Sequence, residues 1–306
     1  MAAFTPKDVA ELRRQTGCGM MDCKNALTEA NGNFEEATKI LREKGMATAA
    51  KKQDRVAAEG LVDIYTENNV TAMAEVNTET DFAAKSDAFR AFMKDLLKTA
   101  VLTKPATVEE LLTKTMPNGV TVEDALKEVS GSILHEKVSI RRFVIVEGVV
   151  STYIHGSGET GIIIKFETDV ASHPDFAMFA KNIALQAAAL PSLYVDRESV
   201  PQSAIDEEME ILTKQMEQDP KFEGKPAKVI EGIVRGKMGK FYETNCLVEQ
   251  PYVKDDSMTV GKYVAASAKE MGGSIKVVSF VRYDKGAGIE KREDDLAAEV
   301  QKMIGG

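Results

Sequence analysis

Residues 59–87, EGLVDIYTENNVTAMAEVNTETDFAAKSD, return at a constant offset of 88 as residues 147–175, EGVVSTYIHGSGETGIIIKFETDVASHPD, with nine identities and no gap. The matched pairs are Glu59/Glu147, Gly60/Gly148, Val62/Val150, Tyr65/Tyr153, Glu79/Glu167, Thr80/Thr168, Asp81/Asp169, Ala83/Ala171 and Asp87/Asp175; a one-residue slip then brings Phe89 and Phe92 onto Phe176 and Phe179. Self-similarity over this length marks a duplicated supersecondary unit, so a pseudo-symmetric core is expected.

Each copy reads as strand, strand, loop, helix. In copy one, Leu61–Thr66 and Val70–Val76 flank Glu67-Asn68-Asn69, a β-hairpin pattern. Thr80-Asp81-Phe82 follows as a loop, and Ser86-Asp87 can cap a helix whose Phe89, Phe92, Met93, Leu96 and Leu97 keep helical spacing. Copy two offers strands at Val146–Ile154 and Ile162–Phe166, the loop Thr168-Asp169-Val170, and a helix from Pro174-Asp175 to about Leu190. Its hairpin turn, Gly156-Ser157-Gly158-Glu159-Thr160-Gly161, fits a dinucleotide-binding spacing. A phosphate site needs a helix N-terminus after the glycines, whereas Ile162-Ile163-Ile164 reads as a strand, so the segment is expected to be a turn.

Outward from the repeat, the first 54 residues predict three short helices, with Val9, Leu12 and Arg13 on the first, Met20–Ala30 as the second and Phe34–Lys44 as the third. Glycine-containing breaks at 16–19 and 31–33 separate them. Between Pro201 and Glu243, apolar stripes Ile205, Met209, Leu212, Met216 and Ile230, Val234, Met238, Phe241 flank Asp219-Pro220 and Pro226, which predicts an antiparallel helical hairpin. Val277–Tyr283 is a further strand that would complete a core sheet, and Gly286-Ala287-Gly288 separates it from a final helix near Glu293–Met303. The fold class is therefore α+β, with a helical module at 1–54, core subdomains at 55–143 and 144–284, a hairpin inserted at about 201–243, and a C-terminal module at 285–306.

Length and composition point to a soluble protein with more than one core: 306 residues are 43% hydrophobic, and no stretch approaches the roughly 20 apolar residues of a membrane span. A cytoplasmic location is expected, since the start carries no basic-then-apolar leader. Cys18, Cys23 and Cys246 are odd in number, without neighbours that would complete a zinc site, so no metal is expected. A net charge of −9 and the absence of long Lys/Arg runs argue against direct nucleic-acid binding and for a protein partner or small ligand.

Catalytic chemistry is thinly represented. His135, His155 and His173 are scattered, and the loop carboxylates Glu79, Asp81, Glu167 and Asp169 read either as an acid/base set or as turn caps. Phe82 stands apart, because an aromatic on a polar loop either packs inward or meets a partner, and copy two has Val170 there instead.

At these residues the chain resembles the elongation factor Ts family, the nucleotide exchange factors of elongation factor Tu. The resemblance runs over essentially the whole length, through LRRQTGCGMMDCKNALTEANGNFEEA, VNTETDFAAKSDAF, SIRR with FVIVEGVV, the Tyr153-Ile154-His155-Gly156 turn, GKMGKFY and CLVEQPYVKD. It implies a three-helix, ubiquitin-associated-like N-terminal module, a duplicated β-hairpin-plus-helix core, an inserted coiled-coil hairpin and a C-terminal helical module. It further implies a translation factor that is not an enzyme, needs no cofactor, touches neither nucleic acid nor membrane, and binds elongation factor Tu in its GDP-bound and nucleotide-free forms. By motif position, Arg13, Met20 and Met21 would grip the GTPase domain, Thr80, Asp81 and Phe82 would enter it, and His155 would add a core contact. Leu134 and His135 would also meet the partner, although family members often carry isoleucine and glycine there.

Overall fold

The computed structural model describes residues 4–222 and 225–290. In chain order these form helices α1 (Pro6–Thr16), α2 (Met20–Glu29) and α3 (Phe34–Ala50), strands β1 (Glu59–Glu67) and β2 (Val70–Thr78), helices α4 (Asp81–Lys85), α5 (Asp87–Thr103), α6 (Val108–Leu112) and α7 (Val122–Glu128), and a π-helical turn at Val129–Ile133. Strands β3 (Val138–Glu147), β4 (Val149–His155) and β5 (Thr160–Thr168) precede helices α8 (Phe176–Ala189), α9 (Gln202–Gln218) and α10 (Ala227–Asn245); short strands β6 (Pro251–Tyr252) and β7 (Asp255–Thr259), helix α11 (Val260–Glu270) and strand β8 (Ile275–Asp284) follow. The mixed helix-and-sheet class expected from the sequence is the observed one. Two compact units result: the described residues of Met1–Ile145, Gly156–Thr160 and Tyr283–Gly306 form the first, and Val146–His155 with Gly161–Arg282 the second.

The first unit begins with α1–α3 around Leu12, Cys23, Leu27, Ile40 and Leu41. Thr5 and Asp8 form a reciprocal capping box, Pro6 stands where no backbone donor is needed, and Gly17 ends α1 at φ +72. Helix α3 runs to Ala50, well past the expected Lys44. Gly45 does not stop it, because the glycine serves a crossing. A Cβ at Gly45 would lie 1.7 Å from Ser132 Oγ, and one at Gly131 would lie 1.8 Å from the Gly45 carbonyl oxygen. Only backbone fits there, and the contact seats α3 against the π turn.

β1 and β2 pair antiparallel with Glu67 opposite Val70, so Asn68 and Asn69 form a two-residue turn with φ of +51 and +61. Both central residues left-handed is the turn whose twist matches a hairpin, and asparagine tolerates that region best after glycine. β2 is central in the order β1-β2-β3 and buried along its whole length. One face, Val70, Ala72, Ala74 and Val76, packs on Phe89, Phe92, Met93, Leu96 and Leu97 of α5. The other carries Glu75, fully buried, whose carboxylate accepts from Arg141 (3.0 Å), Arg142 (2.7 Å), the Gly286 N–H (2.8 Å) and Asn77 Nδ2 (3.2 Å). Burial alone would raise this carboxyl, but the Gly286 N–H, Arg141, Asn77 and Arg142 outweigh it and hold the group below the ordinary glutamate range.

The strand expected at 146–154 is divided. β3 ends at Glu147 and β4 starts at Val149, because Gly148 between them takes φ +105. Its repeat partner Gly60 takes φ +132, where a Cβ would stand 2.1 Å from the Val76 carbonyl oxygen. In the second unit, Ile162, Ile164 and Phe166 of β5 pack on Phe176, Phe179, Ile183 and Ala187 of α8, with Val264 of α11 and Val277 of β8. The sheet order is β4-β5-β8, and β6 and β7 form a separate two-stranded ribbon. Helices α9 and α10 bury Leu212, Met216, Val234 and Met238 against each other, the heart of the two predicted stripes. The final helix expected at Glu293–Met303, and most of the 285–306 module, lie outside the described residues.

Candidate functional site

The Thr80-Asp81-Phe82 loop is the first turn of α4. Thr80 is its N-cap, its Oγ1 accepting the Ala83 N–H at 3.2 Å, and Asp81 pairs with Lys85 at 2.6 Å one turn on. That lysine, hydrogen-bonded to the Asp81 carboxylate, holds it below the ordinary aspartate range. Ala83 and Ala84 face inward, which leaves Phe82 on the outer face, 81% exposed. The alternative of inward packing for Phe82 is therefore not the one adopted.

A clasp fixes the turn. Glu136 Oε2 accepts the Thr80 N–H (2.9 Å) and the Thr78 hydroxyl (3.0 Å), and Oε1 accepts the Thr80 hydroxyl (2.7 Å). Lys137 N–H returns a bond to Glu79 Oε1 at 2.6 Å, and Arg55 pairs with Glu79 at 3.2 Å. Beside Phe82 lies a groove of about 1130 Å³ whose walls include Arg55, Glu59, Lys85, Arg90, Glu159 and Lys285. Charges of both signs line it, with Lys285 and Glu59 already paired at 2.7 Å. The glycine-rich turn contributes here. Gly158 accepts the Val62 N–H at 2.8 Å on its carbonyl, and a Cβ at Gly158 would be 2.7 Å from Leu61, so its glycines serve a turn seated on β1.

The remaining first-unit candidates adjoin this clasp or lie on the helical module. Met20 and Met21, at the start of α2, are 44% and 61% exposed, and Arg13 is exposed at the end of α1. Asp22 Oδ2 stands 3.2 Å from His135 Nε2. His135 takes φ +54, the left-handed conformation glycine adopts without strain, at the position where the resemblance implied a glycine. Its carbonyl accepts the ammonium of Lys52, which burial depresses below the ordinary lysine range. Leu134 is half-buried against the first core. His155 belongs to the second unit, exposed at the end of β4, with its Nδ1 3.1 Å from the Tyr153 hydroxyl. Asp22, Lys52 and Glu136 were not singled out by sequence reasoning; their partners lie too far along the chain to be read locally.

The second copy of the loop is built differently. Thr168 donates its hydroxyl to the Ser274 carbonyl (2.7 Å), Asp169 Oδ1 accepts the Ser274 N–H (2.7 Å), and Val170 packs on the second core. Three of the four loop carboxylates are thus occupied as caps and ion pairs, Glu79 with Lys137 and Arg55, Asp81 with Lys85 and Asp169 with Ser274, while Glu167 is exposed. Among the described residues no group of three or more His, Cys, Asp or Glu is placed to hold a metal. Cys18, Cys23 and Cys246 are buried free thiols, and burial pushes Cys18 up to about 11. No described helix is long and apolar enough to cross a membrane.

Residues 79–287, from the clasped turn to just beyond β8, match the family model described as Elongation factor TS. The chain is 44% identical over 307 residues to elongation factor Ts of Clostridium botulinum (strain Eklund 17B / Type B), covering 99% of each chain. It is likewise 44% identical over 308 residues to that of Clostridioides difficile (strain 630), covering 99% of this chain and all of the relative, and 43% identical over 310 residues to that of Clostridium kluyveri, covering 99% of each. With an outward-facing aromatic on a clasped turn inside the matched region, and agreement from end to end, the chain belongs to the elongation factor Ts family of translation elongation factors.

Proposed function

We propose that this chain is a cytoplasmic guanine nucleotide exchange factor that promotes GDP release from elongation factor Tu by binding and wedging its GTPase domain. The observation that carries this reading is Phe82, 81% exposed yet held on a turn whose backbone is hydrogen-bonded in place. An exposed aromatic is a weak contributor to folding and a strong contributor to an interface, where it fills a pocket. Arg13, Met20 and Met21 supply a second contact from a ubiquitin-associated-like α1–α3 module, Thr80 and Asp81 flank the wedge, and Leu134, His135 and His155 extend the interface. Residues 1–54, 55–143, 144–284 with its insertion at 201–243, and 285–306 act as the successive modules of this factor.

Exchange is a linkage problem. If the factor binds the empty GTPase better than the GDP form, GDP weakens the factor by the same ratio as the factor weakens GDP, and no covalent step is required. Nanomolar nucleotide affinity corresponds to about 12 kcal/mol, and with an association rate near 10⁶ M⁻¹s⁻¹ it implies spontaneous release on the order of 10⁻³ s⁻¹. Accelerating release about 10⁴-fold lowers the barrier by roughly 5.5 kcal/mol, whereas burying one phenylalanine yields about 1.5–3 kcal/mol. Phe82 therefore works with the binding energy of the other contacts. Stopped-flow release of a fluorescent GDP from elongation factor Tu tests this: strong acceleration by the chain is expected, and binding without acceleration would replace the exchange reading with a scaffold.

A further inference from the structure

The geometry points to Glu136 as a positioning residue that holds the Thr80-Asp81-Phe82 turn outward, a role that rests on the exchange reading for its consequence but not for its existence. The carboxylate lies 56 residues from the turn in sequence and takes three donors from it, the Thr78 and Thr80 hydroxyls and the Thr80 N–H, at 3.0, 2.7 and 2.9 Å. The Thr80 hydroxyl has a single proton. Spending it on Glu136 Oε1 orients the oxygen lone pairs toward the Ala83 N–H, so one carboxylate sets both the approach to α4 and its N-cap. Glu136 is itself anchored, its carbonyl accepting the Ser130 hydroxyl at 2.6 Å and the next N–H bonding Glu79 at 2.6 Å.

The duplicated unit supplies the control. In copy two the residues ahead of the third strand, Gly273-Ser274, offer no carboxylate to the loop; Ser274 presents an N–H and a carbonyl. The loop's own Asp169 turns in to meet that N–H, and Val170 follows it onto the core. In copy one the carboxylate arrives from the strand side, and Asp81 pairs with Lys85 at the surface while Phe82 faces solvent. The source of the carboxylate decides which way the loop faces. Glu136 touches neither nucleotide nor reacting atoms in this scheme; it acts through Phe82.

The chain contains no tryptophan, so Phe82→Trp places a single reporter on the turn. In that background Glu136→Gln, which keeps the shape but exchanges a charged acceptor for an amide, is expected to lower tryptophan anisotropy and raise acrylamide quenching in the free chain. Thr80→Val, which removes the hydroxyl donor, is expected to reproduce the effect and serves if the Gln variant folds poorly. Unchanged anisotropy and quenching in both would overturn the clasp, whether or not the chain proves to be an exchange factor. With Phe82 intact, Glu136→Gln is expected to lower the maximal GDP release rate about tenfold, the worth of one charged hydrogen bond, while the concentration for half-maximal effect changes less. A Glu136→Gln loss that simply multiplies the Phe82→Ala loss in the double variant would show that Glu136 does not act through Phe82 and would overturn the positioning role.

Discussion

Two stretches of nearly the same sequence, Thr80-Asp81-Phe82 and Thr168-Asp169-Val170, follow equivalent hairpins and end up facing opposite ways. In the second, Asp169 accepts the Ser274 N–H and Val170 is half-buried against the second core. In the first, Thr80 is held by Glu136, Asp81 is paired at the surface with Lys85, and Phe82 is left in water. Similar loop sequences after similar hairpins thus serve different ends, one tied to its own core and the other held with its aromatic exposed. The copy whose loop is clasped from outside is free to present it to a partner.

Phe82→Ala is expected to have the largest effect, reducing stimulated GDP release up to about 100-fold, the equivalent of one buried aromatic at an interface. Because the side chain is solvent-exposed, the unfolding free energy measured in urea should change by no more than about 0.5 kcal/mol. A comparable loss of stability would mean that Phe82 is part of the fold. Gly273→Ala acts on the other loop. An added Cβ would stand 2.4 Å from both Asp169 Oδ1 and Val170 Cγ1, so stability should fall by about 1–3 kcal/mol as the loop is pushed off its core. Exchange per folded molecule should persist, which separates the two loops.

Val170→Ala removes two methyl-sized groups from a half-buried site and is expected to cost about 1 kcal/mol of stability, again without loss of exchange. The smallest effect concerns protons. The Ser274 N–H, hydrogen-bonded to Asp169, depresses that carboxyl, so its stabilisation is complete above the ordinary aspartate range and is lost as pH falls through the lower folded value. Amide exchange at Ser274 should therefore lose protection in acid relative to neighbouring sites, and Asp169→Asn should flatten that dependence. A pH-independent ratio would remove Asp169 from the account.

The repeat made much of the fold legible. Asn68-Asn69 between alternating apolar runs announced a hairpin because that turn chemistry is local, and Phe89, Phe92, Phe176 and Phe179 announced the helices that pack on each sheet. β3 was less readable because Arg141-Arg142 interrupts its apolar pattern, and the group that neutralises them, Glu75, is 66 and 67 residues away. The third helix outruns its expected end at Lys44 because Gly45 gives room for Gly131, a partner far along the chain that local spacing does not reveal. At the candidate site, Phe82 could be picked out as an aromatic without an evident place in the core, but not which way it faced. That was decided by Glu136, whose sequence context gives no hint of the turn it holds. His135 stood out only as a departure from an expected glycine, and its φ of +54 supplies the reason a glycine suits the position.

A photo-crosslinking phenylalanine derivative placed at position 82 in one preparation and at position 170 in another, each irradiated with elongation factor Tu, separates the two loops in one measurement. Efficient crosslinks from position 82 to the GTPase domain and none above background from position 170 are expected; crosslinks from position 170 alone, or equally from both, would overturn the wedge.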